Sequence, residues 1–126
     1  MKTVVYTPNA PAPIGPYSQA IIAGNFVFVS GQIAMDPVTN ELVLDDIKIE
    51  TRRVMENIKA ILTEAGVDFI NIVKTSIFLI DMKNFTHVNE VYGSYFKDEF
   101  PARETIQVSA LPKGVNVEIS VTAIKP

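Results

Sequence analysis

The chain has 126 residues, 48% of them apolar and 20% charged, enough for one sizeable core and too apolar for a disordered chain. A formal net charge of -3 and a pI of about 5.1 leave no basic stripe for a phosphate backbone. With no cysteine and His87 as the one histidine, disulfides, thiolate catalysis and Cys- or His-cluster metal sites are excluded, and no Gly-x-Ser-x-Gly supports a serine triad.

The start, Met1 to Tyr6, lacks the apolar core of a signal peptide. Apolar runs such as Ile77-Phe78-Leu79-Ile80 are too short to span a bilayer, so the cytoplasm is the expected compartment. Pro8, Pro11, Pro13 and Pro16 crowd together just before strand-like sequence, which predicts an ordered loop laid on the body. Gln19 to Ile22 and Phe26 to Val29 flank Ala23-Gly24-Asn25 and predict a hairpin. Asp36 to Asn40 is a turn. The period then changes. Ile47, Val54, Ile58, Ile61, Leu62 and Ala65 share one helical face, with Asp45 and Asp46 at the start and Gly66 placed to stop it.

Ile72 to Ile80 predicts a strand, and Phe85, Val88, Val91, Tyr92, Tyr95 and Phe96 a second amphipathic helix closed before Pro101. Thr105 to Ser109 reads as a strand that Arg103 precedes, and Leu111 to Gly114 as a turn. In the last strand Val115, Val117, Ile119, Val121 and Ala123 alternate with Asn116, Glu118, Ser120 and Thr122. This order makes an α+β layer in a single domain, residues 1–126. Two helices cover only one face of such a sheet, yet Ile72 to Ile80 is apolar at most positions and predicts burial on both. A homo-oligomer is the economical cover for the second face.

Ile14-Gly15-Pro16-Tyr17-Ser18-Gln19-Ala20, Ser30-Gly31-Gln32, Pro101-Ala102-Arg103, Leu111-Pro112-Lys113 and Val117-Glu118-Ile119 together resemble the Rid family, the YjgF-type reactive-intermediate deaminases. Thr51 to Ala65 and Val88-Asn89-Glu90-Val91-Tyr92 match in order and spacing, so the resemblance runs from Pro11 to Ile124. It implies a chorismate-mutase-like subunit, a single mixed β-sheet with two helices packed on one face. It also implies a homotrimeric barrel with sites in the clefts between subunits, no metal and no organic cofactor.

The resemblance assigns roles that pattern alone does not. By pattern Arg103 is a solvated surface arginine; the matched motif makes it the anchor for a substrate carboxylate, a task its planar fork suits. Glu118 reads as an exposed strand residue; the resemblance makes it the group that orients or activates a water. Tyr17 is either packing or a pocket wall. Gly31 is a bulge glycine or a backbone lying against substrate, and Asn89 a surface amide or a secondary ligand contact. Many relatives carry cysteine where this chain has Thr105, so no thiol attacks and the implied contact is the backbone N–H.

The implied reaction is hydrolysis of short 2-imino acids, 2-iminobutanoate and 2-iminopropanoate, to 2-keto acids and ammonia. Two alternatives stand beside it. A non-catalytic 2-keto-acid-binding regulator would need Arg103 but not Glu118. An endoribonuclease or translation inhibitor would need the basic surface that the composition lacks. The expected partners are small 2-imino and 2-keto acids and further copies of the chain, with neither nucleic acid nor membrane.

Overall fold

A computed structural model describes residues 1–126. Six strands form one mixed sheet: β1 (Lys2–Val5), β2 (Ala20–Ala23), β3 (Phe26–Gln32), β4 (Ile72–Leu79), β5 (Ala102–Gln107) and β6 (Val117–Ile124). Their spatial order is β1-β2-β3-β6-β4-β5, all antiparallel except the β4–β5 pair. The helices are α1 (Ile47–Ala65) and α2 (Phe85–Gly93). The sequence expectation of an α+β sheet with two helices holds, and strand β1 adds to it. No helix is long and apolar enough to cross a membrane.

Local chemistry explains why the elements begin and end where they do. Asp46 caps α1 by accepting from the Ile49 N–H, and Gly66 ends it in the left-handed conformation at φ 82°. Lys125 donates to the Ala65 carbonyl at 2.8 Å, giving that helix end the cation its own last turn lacks. Glu50, in the first turn, is fully buried rather than solvated. Its carboxylate accepts from the Asn116 N–H, the Asn116 amide and the Val117 N–H, and so fixes where β6 starts.

Alternation sorts the sheet into two faces. Val27, Val29, Ile77, Leu79, Val117, Ile119, Val121 and Ala123 are buried and pack with Val54, Met55, Ile58, Ile61 and Leu62 of α1 and Val88 and Tyr92 of α2. The other face carries Val4, Phe26, Phe28, Ile106 and Ile124, all exposed, with the Phe26 and Phe28 rings stacked at 5.8 Å. β4 is therefore not buried on both faces within the chain. Thr75, Ile77 and Leu79 are enclosed, whereas Val73 and Lys74 are exposed and Ser76 and Phe78 half-buried.

Two further boundaries differ from expectation. α2 stops at Gly93, and Tyr95 and Phe96 follow it in a turn, where they join Phe69 in an aromatic cluster. The strand expected over Thr105 to Ser109 instead runs Ala102–Gln107, because it pairs in parallel with β4 from Lys74 onward. Arg103 thus lies inside a strand, opposite Thr75, rather than before one.

Candidate active site

The proline-rich segment is held to the body by one residue. Gln19 is buried; its Oε1 accepts from the Thr7 N–H at 2.7 Å, and its Nε2 donates to the carbonyls of Thr7, Ala10 and Pro11. Ser30 ties the end of β3 to the same loop, donating from Oγ to the Ser18 carbonyl and from its N–H to the Gln19 carbonyl. Asn57 of α1 holds the segment beyond β3, donating to the carbonyls of Ile33 and Met35. These tethers set Tyr17, half exposed, beside Gly31 in a small recess also lined by Ile14 and Ile33.

Gly31 sits against Glu118. A Cβ built at Gly31 would stand 2.8 Å from the Glu118 carboxyl carbon, so any side chain there would collide with the carboxylate. The Gly31 φ is not in the left-handed region, so closeness to Glu118 rather than backbone strain is what favours glycine. Burial pushes the Glu118 carboxyl above its ordinary value, and no hydrogen bond or cation offsets that burial. Such a carboxylate is a stronger base than one in water, which suits it to take a proton from a water molecule.

Arg103 belongs to a second group of residues. It points to the helix side, where its Cζ lies 5.1 Å from the Tyr92 ring centroid and 5.7 Å from that of Phe85. Both separations are within the range of cation–π attraction. Neither ion pair of the chain, Lys48–Glu90 nor Lys74–Glu104, involves Arg103. Asn89, Tyr92, Gly93, Phe100, Pro101 and Arg103 line a cleft of about 380 Å³. Thr105, two residues along the strand, faces the same way, and its hydroxyl is buried without a hydrogen-bond partner.

The expected site residues thus fall into two groups, Tyr17–Gly31–Glu118 and Asn89–Arg103–Thr105. Arg103 and Glu118 point to opposite faces of the sheet, since Arg103 shares the side of Thr75 and Glu118 that of Phe78. A single chain does not bring them together. Phe85, Tyr92 and Phe100 were not among the expected site residues. Phe85 and Tyr92 read as core-facing members of a helical stripe, and the polar Asn89 on that stripe was the available signal that its face is not all core.

Comparison with known proteins identifies the family of the chain. The family model described as Endoribonuclease L-PSP matches residues 7–125. A RutC family protein from Pyrococcus horikoshii is 54% identical over 125 residues, covering 99% of each chain. The human 2-iminobutanoate/2-iminopropanoate deaminase is 46% identical over 125 residues, covering 99% of this chain and 91% of its own. A solved structure of a conserved Rid-family protein of unknown function from Yersinia pestis matches with a TM-score of 0.96 at 50% identity, covering 98% of this chain and 99% of that one. The chain belongs to the Endoribonuclease L-PSP family, the Rid or YjgF family that its motifs resemble.

Proposed function

We propose that the protein is an imine deaminase that adds water to short 2-imino acids and releases 2-keto acids and ammonia. The observation that carries this reading is the Arg103 guanidinium, held between two aromatic rings with no acidic partner. Its N–H donors remain free for a planar anion, and a carboxylate takes two of them in parallel. The similarity to the human deaminase supports the choice of imine over other carboxylate substrates.

In this mechanism Arg103 fixes the carboxylate and thereby the plane of the adjacent C=N bond. Glu118 accepts a proton from a water as its oxygen bonds to the imine carbon, and passes that proton to the imine nitrogen. In the resulting carbinolamine Glu118 takes the hydroxyl proton and hands it to the amine, so that the C–N bond breaks, ammonia leaves, the C=O of the keto acid forms and the carboxylate is regenerated. One water is consumed and one ammonia released. Each tenfold acceleration needs roughly 1.4 kcal/mol of transition-state stabilisation, a scale that one base and one anchor can reach several times over.

Because Arg103 and Glu118 point to opposite sheet faces, a complete site requires Glu118 from one copy and Arg103 from another. The exposed Phe26, Phe28 and Ile124 support a homotrimer closed through the helix-free face. The net charge of -3 weighs against the ribonuclease implied by the family's description.

The test generates 2-iminobutanoate in place with a threonine dehydratase and follows its decay with and without the protein. Acceleration that disappears in Arg103→Ala supports the reading; no acceleration at stoichiometric protein refutes it. Glu118→Gln separates hydrolase from binder, because a keto-acid-binding regulator would be indifferent to it. A monomeric mass in solution would refute the shared site.

A further inference from the structure

Arg103 lies along one stripe of α2. Phe85, Asn89 and Tyr92 recur at i, i+4 and i+7, so ring, amide and ring line up on one helical face beside β5. Tyr92 is 4% exposed, and its hydroxyl donates to Thr75 Oγ1 at 2.9 Å. Thr75 is fully buried and stands directly opposite Arg103 in the parallel β4–β5 pairing. The Tyr92 ring is thus tethered to the strand that pairs with the one carrying the guanidinium.

This arrangement answers a physical requirement. An arginine that grips a substrate needs a fixed plane, yet an acidic partner that fixed it would occupy the donors the substrate needs. Ring faces attract the cation without consuming an N–H donor. We propose that Tyr92, tethered by Thr75 and assisted by Phe85, is the positioning residue that sets the plane of the Arg103 guanidinium for the substrate carboxylate. This rests on the reading of Arg103 as carboxylate anchor. The Tyr92 hydroxyl has a structural task, and its ring the orienting one.

A double-mutant cycle tests the proposal. Tyr92→Leu, Tyr92→Phe and Phe85→Leu are each made alone and with Arg103→Lys. Turnover of 2-iminobutanoate and calorimetric binding of 2-oxobutanoate are measured beside melting temperature. Tyr92→Leu is expected to lower both affinity and kcat/KM about tenfold, the scale of a partly desolvated cation–π contact. Tyr92→Phe keeps the ring and loses only the tether, for roughly a threefold loss. In the Arg103→Lys background Tyr92→Leu is expected to add nothing, because a point charge has no plane to set. Phe85 is 38% exposed, so Phe85→Leu leaves the core intact and gives the same background-dependent loss even where Tyr92→Leu does not fold.

Equal losses in both backgrounds, or wild-type affinity in the Phe85 and Tyr92 variants, overturn the positioning role while leaving the anchor in place. Full binding and turnover by Arg103→Ala would instead overturn the anchor itself, and the inference with it.

Discussion

Gly31→Ala is a sensitive probe of the carboxylate beside it. The added methyl would lie 2.8 Å from Cδ and 3.1 Å from Cγ of Glu118, nearer than ordinary carbon contacts allow. Backbone strain does not enter, because φ at this position is not positive. The far end of the Glu118 side chain must therefore yield. Turning it off its rotamer costs about 0.5–1.5 kcal/mol. Against that, alanine restricts the unfolded chain and returns roughly 0.4–1 kcal/mol. The net change in stability is expected to be small, a shift in Tm of a few degrees at most. Activity responds differently, since a displacement of about 1 Å in a catalytic group lowers the rate on the order of a hundredfold. The assay is steady-state hydrolysis of 2-iminobutanoate produced by a coupled dehydratase, with thermal denaturation run in parallel. In a Glu118→Gln background the same alanine should lower activity little further. Wild-type turnover by Gly31→Ala, or a collapse in Tm matching the loss of activity, would refute the reasoning.

Four other outcomes are expected. Burial pushes the Glu118 carboxyl above its ordinary value, so the acid limb of kcat/KM should be displaced toward higher pH than for a free carboxyl and should vanish in Glu118→Gln. The same raised value means that the folded state keeps this proton to higher pH than the unfolded chain. Glu118 therefore favours folding at low pH, and that contribution is lost as pH rises through its folded pKa, so Glu118→Gln should flatten this part of a urea-denaturation pH profile. Glu50→Ala leaves the Asn116 and Val117 N–H groups without their acceptor and should destabilise by about 3 kcal/mol in urea denaturation, whereas a loss below about 1 kcal/mol would mean that water replaces the carboxylate. Thr105→Val removes a buried hydroxyl that has no partner, so stability should hold or rise by up to about 1 kcal/mol and turnover should persist; inactivity would give that hydroxyl a chemical task.

Most of the architecture was legible because it follows from local periodicity. The α1 face, its Gly66 stop and the alternation of β6 each repeat often enough to define a buried side. Strand β1 is not legible locally, because Lys2 to Val5 is short and becomes a strand only through pairing with Ala20 to Ala23. β5 starts early for the same kind of reason: its extent is set by β4 alongside it, not by its own residues. Glu50 carries no local signal of its role, and only a partner 66 residues away reveals it as a buried clamp. The motif residues could be named from the resemblance, but their division between two sheet faces could not. That division depends on strand register, which Arg103 and Glu118 do not encode locally.

The division between faces also predicts how genetic damage would combine. If each complete site draws Arg103 from one copy and Glu118 from the next, a chain defective in one still contributes the other intact. Arg103→Ala and Glu118→Gln proteins, each inactive alone, should regain activity when unfolded together and refolded as mixed assemblies. Co-expression of two such alleles would rescue a cell that neither rescues singly, whereas a chain carrying both changes would rescue neither.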